Sequence, residues 1–225
     1  MTSCENLSPE QIKLTPKMIL EAYAAGIFPM SESRDNTGIF WVDPELRGIF
    51  PLDGLRISRS LRKKVRQNHY DIRYNTDFTA VIKACAEANE NRSETWINNE
   101  ITHLYTQLFH EGHAHTIECW LNEELVGGLY GLAIKGAFFG ESMFSRKPDA
   151  SKVALVHLVA RLTEDGFTLL DTQFVTDHLT RLGAIEIPRD AYHNLLDKAL
   201  LVNATFNIKG SMKTHQIHVD KLLGN

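Results

Sequence analysis

Cysteine is scarce: the 225 residues hold three, Cys4, Cys85 and Cys119. They are odd in number and far apart. They form neither a CxxC pair nor a zinc-like spacing with histidine, so reduced thiols are the simplest reading. Long apolar runs are missing too. None approaches the roughly 18–20 residues that span a bilayer. The stretch from Met1 to Leu14 mixes Glu5, Glu10 and Lys13 with few apolar residues, unlike a signal peptide. The expectation is a soluble, cytoplasmic protein with no membrane partner. A large charge of either sign is also absent. The formal net charge of −4 does not describe a nucleic-acid binder as a whole, although a local basic face remains compatible with it. There is no internal repeat and no low-complexity segment. With 43% hydrophobic and 23% charged residues, the chain fits one good-sized domain, or one domain with a smaller companion.

Punctuation marks the first helix: Thr15 as N-cap, Pro16 in the first turn, Ile19, Leu20 and Tyr23 on one face, and Gly26 as the stop. Short extended pieces follow at Ile39–Val42 and Gly48–Pro51. Between Leu55 and Tyr70 no acidic residue occurs. There Arg59, Arg62, Lys63 and Arg66 fall at i, i+3, i+4 and i+7, the spacing of one helix face, with Leu61 and Val65 turned inward. Asp77 caps a helix expected to run to about Asn89, and another spans about Asn98–Glu111. Three strands come next, His115–Leu121, Leu125–Ile134 and Ala137–Met143, with turns at Asn122-Glu123 and Lys135-Gly136. An amphipathic helix over Ala150–Glu164 leads to a buried strand, Phe167–Gln173. Helices near Thr176–Leu182 and Asp190–Leu201 close the series. Residues beyond Phe206 read as a terminal strand or a partly ordered tail. The order is that of an N-acetyltransferase-like (GNAT) fold, whose central strands splay to admit an acyl donor and an amine.

Polar residues interrupt two of the apolar strands. Asp171 and Gln173 end the run Phe167–Leu170, and alternation puts both on one face. Capping of the next helix is one role for Asp171. The other is a site between strands, where Gln173 holds an attacking amine and Asp171 helps remove its proton. Glu141 breaks the run Ala137–Gly140. A buried glutamate calls for a partner, either an internal arginine or a cationic ligand. Ser142 lacks the second glycine of a nucleophile elbow and reads as a hydrogen-bonding serine. Trp41 and Trp96 stand in polar settings. Core packing is the default, but beside a basic face such rings also stack unpaired bases of RNA ends. His110, His113 and His115 have no carboxylate at a fitting step, which disfavours a metal site. His178 reads as a supporting group behind Asp171 and Gln173.

These segments resemble the leucyl/phenylalanyl-tRNA–protein transferase family along nearly the whole chain. The resemblance runs through Ala22–Met30, Trp41-Val42-Asp43-Pro44 with Arg47-Gly48, Thr95-Trp96-Ile97, His115–Glu118 and Val126–Gly131. It continues through Phe139–Ser145, Ala150-Ser151-Lys152, Leu170–Gln173 and Asp177–Ala184. It implies transfer of Leu or Phe, less readily Met, from aminoacyl-tRNA to proteins that begin with Arg or Lys, marking them for the N-degron pathway. It also implies an α+β fold: a small N-terminal α/β domain over residues 1–53, then a GNAT-like catalytic domain over 54–225 with a mixed, mainly antiparallel sheet. By the same resemblance, Trp41 and Trp96 hold the terminal adenosine of the tRNA. Leu129, Phe138, Met143, Leu155, Leu158 and Leu170 line the pocket for the amino-acid side chain. Asp171, Gln173 and Glu141 are the expected catalytic group, and Arg59, Arg62, Lys63 and Arg66 the expected contacts to the tRNA backbone.

The aminoacyl ester arrives activated, so no cofactor is expected and peptide-bond formation calls for neither ATP nor metal. A coenzyme A-dependent acetyltransferase would carry a Gln/Arg-x-x-Gly-x-Gly/Ala loop, whose amides cradle pyrophosphate. The corresponding Ser145–Ser151 stretch contains no glycine. Coenzyme A is therefore not an expected partner. A non-catalytic RNA-binding module would explain the basic helix and the tryptophans but leaves Glu141, Asp171 and Gln173 unexplained.

Overall fold

The computed structural model describes residues 14–31, 38–87, 95–207 and 212–224. Helix α1 (Pro16–Ala24) starts where the Thr15 hydroxyl accepts from the Met18 amide and ends at Gly26, whose φ of +85° turns the chain out. Strands β1 (Phe28–Met30) and β2 (Phe40–Val42) form a small antiparallel ribbon, with Pro29 opposite Trp41. β3 (Leu46–Ile49) leaves that ribbon for the main sheet. α2 (Arg59–Arg66) is capped by the Ser58 hydroxyl. Leu61 and Val65 are buried as their spacing predicts, while Arg59, Lys63 and Arg66 are exposed and Arg62 is half-buried.

β4 (Asp71–Tyr74) was not foreseeable from pattern. It is four residues long and charged, as an edge strand tolerates. α3 (Phe78–Ala86) and α4 (Asn99–His110) begin at Asp77 and Asn98, each accepting from a backbone amide of the first turn. The expected end of α3 near Asn89 lies outside the described residues. β5 (Ala114–Leu121), β6 (Glu124–Ile134) and β7 (Ala137–Ser145) form a meander. Its two-residue turns put Asn122, Glu123 and Lys135 at positive φ, as tight hairpins require. α5 (Ala150–Glu164), β8 (Leu169–Gln173), α6 (Asp177–Leu182), β9 (Ile185–Pro188), α7 (Arg189–Leu200) and α8 (Met212–Leu222) complete the chain. Two expectations need correction. β9 is an additional strand. The segment after Phe206 ends in a helix packed on α5, where the buried His215 meets His157 at 3.1 Å. His215, Val219 and Leu223 are buried at four-residue spacing, and with a histidine as the first of the three the apolar stripe is weak in the sequence.

The main sheet has seven strands in the order β4-β5-β6-β7-β8-β3-β9. Among the described residues only β7 and β8 run parallel, so the sheet is mixed and mainly antiparallel. Helices cover both faces. α1, α3, α4 and α7 enclose one buried cluster, and α2, α5 and α8 enclose the other. Among the described residues no helix is long and apolar enough to cross a membrane.

Candidate active site

β7 and β8 pair from Ala137 and Leu169 to Phe139 and Asp171, and then part. A bulge sits on each side of the fork. On β7, Gly131 faces Gly140 while Tyr130 faces Ser142, which leaves Glu141 as the extra residue. A side chain at Gly131 would collide with the Phe139 carbonyl oxygen and the Phe138 ring, so glycine permits the close approach. On β8, Gly48 faces Gln173 while Ile49 faces Asp171, which makes Thr172 the extra residue. A Cβ on Gly48 would stand 2.8 Å from Thr172 Oγ1. Gln173 then takes a left-handed φ of +56°. The bulge interrupts regular alternation between Asp171 and Gln173, yet both side chains meet groups of the same cluster: Asp171 touches Tyr192, and Gln173 touches Glu141, which Tyr23 and Tyr105 hold.

The fork opens a cavity of about 360 Å³, within the range of small-ligand sites. Its apolar lining includes Leu129, Met143, Leu155, Leu158 and Leu170, together with Phe28, Pro29 and Met30 of β1 and Trp96. Glu141, Ser142, Thr172, Gln173 and His178 supply the polar groups. Phe138 is not part of this lining. It is fully buried and packs against Phe167 and Phe206. Trp41 also stays outside the lining; it is 39% exposed, on the strand paired with Pro29. Arg59, Arg62, Lys63 and Arg66 lie together on α2, apart from the cavity lining. Burial, reinforced by the charges of Lys152 and Arg181, pulls the His178 pKa down.

Glu141 meets hydroxyls where an arginine partner was one expectation. Tyr23 Oη donates to Oε1 at 2.7 Å, and Tyr105 Oη approaches Oε2 at 3.2 Å. The two hydroxyl oxygens are themselves 2.6 Å apart. The two hydroxyl protons serve only two of these three contacts while Glu141 is ionised, and protonation of Glu141 would supply a hydrogen for the third. Gln173 Nε2 donates to Oε1 at 3.4 Å. Burial pushes the Glu141 carboxyl up to about 8; Asp171's charge adds to this, while hydrogen bonds from both tyrosines and the charge of Arg47 oppose it. Burial also raises both tyrosine hydroxyls well above their usual range, so they remain donors.

Asp171 is fully buried and does not line the cavity. Its carboxylate lies against Arg47, with Nε at 3.0 and 3.2 Å from the two oxygens and Nη2 at 2.7 Å from Oδ2. Tyr192 Oη donates to Oδ2 at 2.7 Å and the Gln173 amide to Oδ1 at 2.7 Å. The helix-capping role is taken by Thr176, the N-cap of α6. Sequence reading missed four residues of this centre: Tyr23, Tyr105, Arg47 and Tyr192. Arg47 alone carried a signal, being a cation in the otherwise apolar stretch Leu46–Phe50.

The family model for leucyl/phenylalanyl-tRNA protein transferase matches residues 49–197, and that for the N-terminal domain of the same family matches residues 13–45. Similar relatives bear the name leucyl/phenylalanyl-tRNA–protein transferase. That of Afipia carboxidovorans is 58% identical over 194 residues, covering 86% of each chain. That of Paramagnetospirillum magneticum is 57% identical over 86% of this chain and 93% of its own. That of Rhodospirillum rubrum is 54% identical over 88% and 92%. Among solved structures, L-PGS from Bacillus licheniformis is similar at 13% identity with a TM-score of 0.40, covering 80% of this chain and 65% of that one. With both family models matched in order, and identity above one half across most of the length, the chain belongs to the leucyl/phenylalanyl-tRNA–protein transferase family.

Proposed function

We propose that the protein moves Leu or Phe, and less readily Met, from aminoacyl-tRNA to the N-terminal Arg or Lys of acceptor proteins. The peptide bond so formed marks them for N-degron degradation in the cytoplasm. One observation carries this reading: the fork between β7 and β8 puts Glu141 and Gln173 beside an apolar cavity walled by Trp96. Leu129, Met143, Leu155, Leu158 and Leu170 hold the amino-acid side chain, and Met143 adapts to either Leu or Phe because its thioether is flexible. Phe138 supports that pocket from behind. Trp96 and Trp41, the latter paired opposite the cavity-lining Pro29, hold the terminal adenosine, and the exposed cations of α2 meet the RNA backbone. The same reading includes a GNAT-like catalytic unit from residue 54, preceded by a small α/β unit of residues 1–53 whose strand β3 is built into the main sheet, and it gives coenzyme A no role.

The amine nitrogen attacks the ester carbonyl, the C–N bond forms, the C–O bond to ribose breaks, and the departing ribose oxygen takes the proton the amine gives up. Holding the two reactants in line contributes about 7–11 kcal/mol. Gln173 positions the amine. Glu141 receives its proton and passes it on, and a carboxyl near 8 is matched to an acceptor amine that titrates at about 7.7–8. Asp171, enclosed by Arg47 and Tyr192, acts through Gln173 rather than on the amine itself.

Incubation with labelled leucyl-tRNA and peptides that begin with Arg or Ala tests the proposal. Label on the Arg peptide alone is the expected result. No transfer would sink it, and transfer from acetyl-coenzyme A would turn the protein into an ordinary acetyltransferase.

A further inference from the structure

We propose that Arg47 is a positioning residue: acting through Asp171, it holds Gln173 in the left-handed conformation that brings its amide beside Glu141. Its effect on rate rests on the acyl-transfer reading of the cavity; its effect on Gln173 does not.

Arg47 is 1% exposed and lies between two rings, its Cζ 4.4 Å from the centroid of Phe28 and 4.3 Å from that of Tyr192. Nη1 donates to the Gly26 carbonyl at 2.9 Å, and the remaining nitrogens fork onto Asp171. Burial pulls the guanidinium pKa down, but the hydrogen bonds and charge of Asp171 outweigh it, so the net shift is upward. A buried ion pair is a poor source of stability, because two desolvated charges repay their cost only with excellent geometry. Here the geometry is excellent, and it converges on one backbone atom. Asp171 Oδ1, held by Arg47 Nε, accepts the Gln173 amide at 2.7 Å.

That amide belongs to a non-glycine residue at positive φ, a conformation that surrounding contacts must impose. The same guanidinium stacks on Phe28, which lines the cavity from the other side. Arg47 therefore fixes Gln173 relative to the β1 wall of the pocket. Lysine cannot replace it. One ammonium on a flexible stem does not reach two carboxylate oxygens and the Gly26 carbonyl together.

The test combines Arg47→Lys with Gln173→Ala in a double-mutant cycle, read by single-turnover transfer from leucyl-tRNA to an Arg-led peptide and by amide hydrogen exchange. In folded Arg47→Lys, exchange at the Gln173 amide rises by about tenfold or more, while amides of β5 and β6 keep their protection. The transfer rate at saturating leucyl-tRNA falls by about tenfold, half-saturation is little changed, and the same substitution costs less than about twofold in the Gln173→Ala background. A protected Gln173 amide in folded Arg47→Lys overturns the proposal, as do equal losses in both backgrounds. If Arg47→Lys does not fold, Tyr192→Phe removes one hydrogen bond from Asp171 and carries the same readouts with smaller shifts. If the wild-type protein transfers nothing, the acyl-transfer reading fails, and hydrogen exchange at Gln173 still decides for or against the clamp.

Discussion

Glu141 combines a carboxyl raised by burial with hydroxyl partners, so its protonation state links stability and rate. The folded pKa of about 8 lies above the ordinary 4.5. The folded form therefore binds a proton that the unfolded chain has lost between those values. Stability from this group is fully present below pH 4.5 and is lost as pH rises through about 8. Glu141→Gln removes the titration. Its melting temperature should gain on the wild type as pH increases across that window, and a constant difference would refute the raised pKa. If Glu141 is the base proposed above, rate follows the opposite course, because a base works only when ionised. The ratio of wild-type to Glu141→Gln single-turnover rates should climb with pH and level off above about 8. Taking the ratio cancels titration of the acceptor amine, so a flat ratio would remove Glu141 from proton transfer.

At the scale of elements, the two bulges decide which side chains reach the cavity. Gly131→Ala places a methyl group against the Phe139 carbonyl and the Phe138 ring, both buried. Overpacking of this kind costs about 1–3 kcal/mol, and denaturant titration should show the midpoint falling accordingly. The transfer rate should fall more than stability accounts for at a temperature where the variant stays folded, because the strain falls next to Glu141. Elements whose signals are local were legible in the sequence. α5 has the expected bounds but is buried on nearly every face, from Val153 through Leu162, where an amphipathic helix was expected, and α1 begins and ends at Thr15 and Gly26. β4 and β9, with four residues each, are edge strands too short to show alternation. The site divided in the same way. Glu141 and Gln173 stood out as polar breaks in apolar strands, and the geometry brings them together. Asp171 stood out too, but its partner is 124 residues distant in sequence, and the bulge at Thr172 has no pattern of its own. The burial of Asp171 behind Arg47 and Tyr192, outside the cavity lining, is therefore set by distant partners that strand alternation does not register.

For the whole molecule, a net charge of −4 and an RNA partner are reconciled by where the cations stand. α2 has Arg59 in its first turn, against the helix dipole, whereas Lys63, Lys64 and Arg66 in its last turn suit that dipole. Lys64 is occupied on the protein side, with Nζ 2.7 Å from the Pro148 carbonyl and 2.9 Å from Asp149 Oδ2, and it ties α2 to the start of α5. Arg59 and Lys63 are exposed, and α2 packs on α5, whose Leu155 and Leu158 line the cavity. A basic face braced on the helix that lines the cavity suits the proposed ligand, whose acyl end would enter the cavity while its phosphates remain outside. Each phosphate neutralised releases condensed counterions, so the logarithm of affinity falls with the logarithm of salt by about 0.7–0.9 per contact. Arg59→Gln with Lys63→Gln should therefore weaken tRNA binding at low salt and lower the salt slope by about 1.4–1.8. Transfer from a short aminoacyl-adenosine donor, which has no helix backbone to meet α2, should be unaffected by the pair. An unchanged salt slope would reduce these cations to solvated surface, whereas loss of transfer from the short donor would show that α2 shapes the pocket itself.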